Sequence, residues 1–292
     1  MTGPAEMFAE YRSMLFTIAY EILGSAVDAE DAVQDSYLRW NAVRADEVEN
    51  PRSYLARIVT RVALNQLRSS ARRREEYVGS WLPEPIRVDA DAASDVVLAE
   101  SISMAMLLVL ETLGPDERAV FVLREVFGFE YREIARCVGR TEASARQVAH
   151  RAREHVQARR RRFDPDPVLA QQVAEAFLAA TLGGDVQALM DLLAPDVVEI
   201  SDGGGKVSAA RRPVVGRERV ARYLSGLVRI GVPQMRLEPM ACNAMPAVAI
   251  YSGDRLDCVL LVEVADALVS GVYIVRNPDK LAAFARSRET AR

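Results

Sequence analysis

Lysine is almost absent from this 292-residue sequence. Of 37 basic side chains only Lys206 and Lys280 are lysine, and arginine fills every other basic role. Histidine is as scarce, with His150 and His155 alone, so the last 125 residues have no histidine to serve as a general base. Three cysteines (Cys137, Cys242 and Cys258) make an odd count with no CxxC pair. That argues against a disulfide framework or a zinc site and for a reducing compartment. The longest uninterrupted apolar run, Met104 to Leu110, is far short of a membrane span. No basic start leads into an apolar core, so no signal peptide is expected, and we expect a cytoplasmic protein with no membrane partner. Residues 202–206, DGGGK, hold three glycines but lack phosphate-loop spacing, and no cofactor or metal is expected.

What charge there is, is sorted. Residues 1–50 hold ten acids against three arginines, and residues 51–74 hold seven arginines and no acid. From Ser80 to Glu117 there are eight acids and one arginine, then nine arginines and two acids from Arg136 to Arg162. The overall charge of −4 therefore hides two basic segments, which suggest two phosphate contacts.

The second segment carries the clearest pattern. Ile134, Ala135 and Val138 recur at helical spacing, Gly139 supplies a helix exit, and Thr141 is a good N-cap for a second helix. There Ala145, Val148 and Ala152 form an apolar stripe, while Ala143, Arg146, Gln147, His150 and Arg153 occupy the opposite face. This is helix-turn-helix spacing with a face suited to the major groove. The same spacing also fits an ordinary helical hairpin with a solvated basic face.

Upstream, residues 7–23 and about 28–43 read as amphipathic helices, and Pro51 opens a third. In that third helix Leu55, Ile58, Val59 and Val62 face a core. Arg57, Arg61, Leu64 and Arg68 form a separate stripe that could track a phosphate backbone.

AEDAVQDSYLRW (29–40) with YLARIVTRVALNQLR (54–68) resembles region 2 of bacterial sigma factors, and GPDERAVFVLREVFGFEYREIA with SARQVAHRARE resembles region 4. With no other sigma region between them, the chain resembles the extracytoplasmic-function class. The resemblance implies that core RNA polymerase, through its β′ clamp and β flap, and promoter DNA are the partners. It places the β′ contact on Asp31, Gln34, Asp35, Tyr37 and Leu38, although Tyr37 and Leu38 could equally be core residues. It also implies that Arg57, Arg61, Asn65 and Arg68 read and melt the minus-ten element, with a base pocket sought in the loop at about 44–52.

Residues 76–100 lack helical periodicity and hold WLPEP (Trp81, Leu82, Pro83, Glu84, Pro85) and an acidic run at 89–95. That run could imitate nucleic-acid charge or be a solvated spacer. DPDP at 164–167 then marks a boundary. Beyond it we expect helices at 168–182, 185–193 and 216–230, followed by a meander of strands at 234–241, 247–252, 256–265 and 267–276. Helices before strands suggest an α+β sheet curling around a cavity, similar to the SnoaL-like cone. Some members of that superfamily are enzymes, so Asp196, Asp202, Asp254 and Asp257 with Tyr223, Tyr251 and Tyr273 are candidate groups, each also readable as a surface or turn residue. We expect a cone without catalytic activity that could hold a small ligand.

WLPEP, the DGGGK stretch (Asp202, Lys206) and NPDKL (Asn277, Pro278, Asp279, Lys280, Leu281) together resemble the sigma group with a fused SnoaL-like domain. The resemblance implies regulation in cis. The two lysines sit in two of these motifs, so both are expected to hold the cone against the linker and the sigma module, with Glu84 and Asp279 as partners; the alternative is two surviving surface lysines. The expected organisation is multidomain: region 2 as a helical bundle (1–75), the linker (76–100), region 4 as an all-α helix-turn-helix (101–162) and the cone (167–292).

Overall fold

The structure, a computed structural model, describes residues 4–43, 48–87, 103–159 and 166–290, without the side chains of 70–75, 159 and 286–290. The chain forms two compact units, one made mainly of residues up to 75 with 106–160, the other mainly of 76–90 with 161–292. The acidic run at 89–95 lies outside the described residues.

In the first unit, α1 (Pro4–Leu23), α2 (Ala26–Asn41) and α3 (Pro51–Glu75) pack on one another. Leu15, Ile18 and Ile22 meet Leu55, Val59 and Val62 in a core with no solvent at most positions. Trp40 is fully buried and its indole N–H donates to the Pro4 carbonyl at 2.8 Å, so its one polar atom is not left unmet. Ser25 Oγ accepts from the Asp28 amide at 3.1 Å and caps α2.

The same unit continues with α4 (Met104–Glu111), α5 (Pro115–Phe121), a wider π-type turn at Val122–Val126, α6 (Tyr131–Val138) and α7 (Glu142–Arg159). Gly139 leaves α6 at φ 71°, and Thr141 Oγ accepts from the Ser144 amide at 3.2 Å. Ala145, Val148 and Ala152 are buried, as their spacing predicts. Leu64 corrects the arginine stripe: it is 3 % exposed, because α5 and α6 pack on α3.

In the second unit the helices α8 (Pro167–Gly183), α9 (Val186–Leu192) and α10 (Arg217–Ile230) cover one face of a six-stranded sheet. Its strands are β1 (Leu193–Asp202), β2 (Val214–Val215), β3 (Met235–Cys242), β4 (Met245–Ser252), β5 (Arg255–Ala265) and β6 (Leu268–Val275), in the order β2-β1-β6-β5-β4-β3. A further helix, α11 (Pro278–Thr290), packs on β5. The meander β3 to β6 matches the sequence reading, but β1 does not appear in it. This strand lies parallel to β6, between it and the short edge strand β2. Pro195 and Asp196 fall in its bulged start, and its buried positions include Glu199 and Ser201. Polar residues in the inward slots erase the alternation that marks a strand.

The three cysteines are unbridged and buried. Burial pushes the thiols of Cys137 and Cys258 up to about 12, so they carry almost no thiolate at neutral pH. Alkylation with iodoacetamide at pH 8 should leave both unmodified in the native protein and modify both in denaturant, as read by peptide mass spectrometry.

Candidate nucleic-acid interface and linker clamp

Two faces of the helical unit are exposed. On α2, Asp31, Gln34, Asp35 and Leu38 point to solvent, Leu38 with 63 % of its surface. Tyr37 is half-buried, edge-on to Phe8 at 5.1 Å. Leu38 is therefore not a core residue, and four of the five positions share one open face. On α7, Ala143, Arg146, Gln147 and His150 are exposed. Arg153 is half-buried and paired with Glu125 at 2.6 Å, while Arg146 pairs with Glu142 at 2.9 Å.

The α3 row is arranged differently. Arg61 donates to the carbonyls of Arg136 (3.0 Å) and Cys137 (3.4 Å) at the end of α6. Those carbonyls lack helical partners and sit at the negative end of the helix dipole. Arg68 pairs with Asp116 at 2.8 Å, Arg57 lies over the Tyr54 ring at 4.7 Å, and Asn65 is exposed. Arg52, absent from the sequence reading, donates to the Phe127 carbonyl at 2.9 Å and lies over the Phe129 ring at 4.1 Å. A recess of about 330 Å³ joins Val48, Glu49, Asn50, Ser53, Tyr54 and Arg57 to Glu133 and Arg136 of α6. The end of the 44–52 loop lines it, and residues 44–47 lie outside the described residues.

In the cone unit, the WLPEP, DGGGK and NPDKL residues converge on one buried carboxylate. Asp202 Oδ1 accepts from the Tyr77 hydroxyl (2.6 Å) and the Gly204 amide (2.9 Å). Its Oδ2 accepts from the Leu82 amide (3.0 Å) and from Lys280 Nζ (2.7 Å). Lys280 also donates to the Leu82 carbonyl and lies 4.2 Å from the Trp81 ring centroid. Leu82, Pro83 and Pro85 are buried, Trp81 and Glu84 half-buried. Asn277 donates to the Tyr77 hydroxyl at 2.7 Å, and Leu281 is buried. Burial, helped by the bond to Asp202, raises the Tyr77 pKa well above its ordinary value and keeps the phenol a donor.

The glycines of DGGGK serve close approach. A Cβ on Gly204 would stand 2.5 Å from Asn277, and one on Gly205 2.9 Å from Val78 of the linker. Farther along, the Ile86 amide donates to Asn243 Oδ1 and the Asn243 amide to the Ile86 carbonyl, both at 3.0 Å. Arg87 pairs with Glu238 at 3.0 Å. Residues 76–87 thus pack with the cone unit, in keeping with the expectation that the cone holds the linker.

The two lysines differ. Lys206 pairs with Asp279 at 2.6 Å, with both side chains more than half exposed, whereas Lys280 and Asp202 are buried. The candidate acids and tyrosines of the cone scatter. Asp196 and Asp254 are exposed, Asp257 pairs with Arg276 at 3.0 Å, and Tyr251 lies beneath Arg236. Tyr273 donates to Glu263 and Tyr223 neighbours Ser201 at 3.3 Å. The buried carboxyls the sequence reading missed are Glu199, hidden with the unrecognised β1, and Glu263 of β5. Among the described residues no cluster of His, Cys, Asp and Glu could hold a metal, and no helix is long and apolar enough to cross a membrane.

Sigma-70 region 2 matches residues 7–73 and Sigma-70 region 4 matches residues 103–156. The chain is 37% identical over 288 residues to the ECF RNA polymerase sigma factor SigJ of Mycobacterium tuberculosis, covering 94% of this chain and 91% of that protein. It is 30% identical over 275 residues to the probable ECF RNA polymerase sigma factor SigI of the same species, covering 93% and 92%. The crystal structure of the M. tuberculosis extracytoplasmic function sigma factor SigJ superposes with a TM-score of 0.77 at 33% identity, covering 95% of this chain and 98% of that one.

Replacing Lys280 with alanine strands the Asp202 carboxylate in the interior, a loss of about 3–5 kcal/mol for a broken buried pair. Replacing Lys206 removes an exposed pair worth ~0–1 kcal/mol. Urea unfolding of the full chain should show a large loss for Lys280→Ala and almost none for Lys206→Ala.

Proposed function

We propose a mode of action for a chain that belongs to the extracytoplasmic-function sigma factors, and that therefore binds core RNA polymerase and promoter DNA in promoter-specific transcription initiation. The observation that carries it is the state of the two basic segments: α7 offers an exposed face, while Arg61 and Arg68 of the α3 row are engaged with region 4.

In this reading Ala143, Arg146, Gln147, His150 and Arg153 lie in the major groove of the minus-thirty-five element. Arg57, Arg61, Asn65 and Arg68 handle the minus-ten element, and the recess at Val48 to Arg57 receives an unstacked base. Arg61 uses its Nε and Nη2 donors on the α6 carbonyls, so a phosphate bound bidentately to that same edge must displace them, and in that mode the contact between α3 and α6 competes with melting. The open face of α2 (Asp31, Gln34, Asp35, Tyr37, Leu38) docks on the β′ clamp, and region 4 meets the β flap.

The cone acts in cis by gripping residues 76–87, which lie between the two sigma regions in sequence. Twelve residues of extended chain reach about 40 Å. The two promoter elements lie about 25 base pairs apart, ~85 Å along the duplex. Docking or releasing that segment therefore changes the tether by a length that matters to simultaneous engagement. In this reading the cone regulates rather than catalyses, since it has no histidine and its candidate acids Asp196, Asp254 and Asp257 stand apart, exposed or paired with Arg276. A small ligand in the cone is the second reading, favoured by the buried carboxyl of Glu199.

Run-off transcription with purified core polymerase tests the function, and lack of promoter-dependent product would overturn it. Arg146→Ala and His150→Ala should relax minus-thirty-five preference, each by about 1–3 kcal/mol of base discrimination. Arg57→Ala should impair melting, read by permanganate footprinting, with duplex binding retained. Lys280→Ala and Trp81→Ala should alter promoter-dependent output and expose residues 76–87 to protease.

A further inference from the structure

From Lys206 to Arg229 stand seven basic residues and one acid, Glu218, a third basic segment that lies outside both sigma regions. Two of the seven have partners: Lys206 pairs with Asp279, and Arg217 donates to the Leu193 carbonyl at 2.8 Å. The other five, Arg211, Arg212, Arg219, Arg222 and Arg229, are exposed, and none of their side chains has an ion pair or hydrogen bond among the described residues. The remaining arginines described in the cone unit behave differently. Arg87 and Arg236 meet Glu238, while Arg255 and Arg276 meet Asp257.

On α10 three of the five form one face. At about 100° per residue, Arg219, Arg222 and Arg229 fall within about 80° of one another, opposite the buried Val220, Ala221 and Leu224. Gly226 lies inside the same arc, and a Cβ there would meet nothing within 4 Å. No neighbour in the chain requires this glycine, and a helix interior disfavours it. The charges are also unfavourable where they stand. Arg219 occupies the first turn of the helix, where the dipole disfavours a cation, and Arg222 is its like-charged neighbour at i+3. An anionic partner would relieve both.

We propose that this face of α10 binds the sugar-phosphate backbone of promoter DNA without regard to sequence, with Gly226 letting the strand come close. The proposal rests on the sigma reading, which supplies the polyanion, and adds a third DNA contact carried by the regulatory cone. Arg219 and Arg229 are separated by about 15 Å along the helix axis, a length that covers about four phosphates of one strand at about 3.4 Å per step. A guanidinium meets a phosphate with two parallel donors, and the donors of these three side chains are uncommitted. Regulation in cis then has the promoter as well as residues 76–87 to act on.

The test titrates a labelled promoter duplex with the full chain, alone and with core polymerase, and follows fluorescence anisotropy from about 50 to about 200 mM salt. Arg219→Ala, Arg222→Ala and Arg229→Ala combined should lessen the slope of log affinity against log salt by about 2.7, or about 0.9 per lost phosphate contact. The loss should be the same on a scrambled duplex, and lysine in place of each arginine should restore the slope. Gly226→Leu changes no charge and should weaken binding roughly threefold or more, because its side chain holds the strand away. Far-ultraviolet circular dichroism of each variant checks that it folds. An unchanged slope in the alanine variant, or wild-type affinity in Gly226→Leu, overturns the contact. So does an alanine variant that keeps its DNA affinity and loses core polymerase, which would make the partner an acidic protein surface. Run-off transcription keeps the two ideas apart: a wild-type chain without promoter-dependent product overturns the sigma reading, and the salt slope of the chain alone still decides the contact.

Discussion

A carboxylate without access to water must have each lone pair met, and in the cone unit that requirement falls on Asp202. Its two oxygens accept from Tyr77, Gly204, Leu82 and Lys280. The donors come from both sides of the linker turn, from the glycine loop and from the start of α11. Three sequence motifs scattered over 200 residues are thus one physical object, the shell of a single buried charge. The cost of taking Asp202 and Lys280 out of water is offset only when all donors are present. The arrangement is therefore closer to all-or-none than a row of surface contacts would be, which suits a segment that must be held or let go.

The helical unit solves a related problem with arginine. Arg118, almost fully buried, donates to the Glu21 carbonyl at 2.7 Å near the end of α1. Arg61 meets the end of α6, and Arg52 and Arg124 meet the carbonyls of Phe127 and Phe129 at 2.9 Å. Helix ends and turns leave acceptors that no backbone amide reaches, and a planar guanidinium can span two of them. Each such charged hydrogen bond is worth about 1.5–3 kcal/mol. A phosphate oxygen is an anionic acceptor for the same kind of group, so a contact that closes the unit and a contact to a phosphate are of comparable size.

Much of this was legible in the sequence. The helix-turn-helix showed in Gly139, Thr141 and the Ala145–Val148–Ala152 stripe, because a local cap and a 3.6-residue period need no tertiary information. The meander β3 to β6 showed because its apolar residues are numerous enough to survive one buried acid, Glu263. β1 did not show, since Glu199 and Ser201 occupy inward positions and Pro195 interrupts its start. With the strand went the carboxyl it carries. Leu64 was assigned to a solvent-facing stripe because periodicity cannot say that a second helical module covers the same face. The DGGGK run stands out in the sequence, but the neighbours that require its glycines, Asn277 and Val78, lie more than 70 residues away on either side.

The two lysines show how far composition can be pressed. Their rarity marked both as informative, yet only Lys280 sits where lysine is required. Its ammonium must fit between the Leu82 carbonyl and Asp202 Oδ2 while facing the Trp81 ring. A guanidinium is broader and presents its donors in a fixed plane, so it would not fill that space and meet the same partners. Lys206 meets Asp279 in the open, where an arginine would serve as well. Rarity alone therefore cannot separate a constrained lysine from a tolerated one. The separation comes from burial, which decides whether the geometry of the charged group matters.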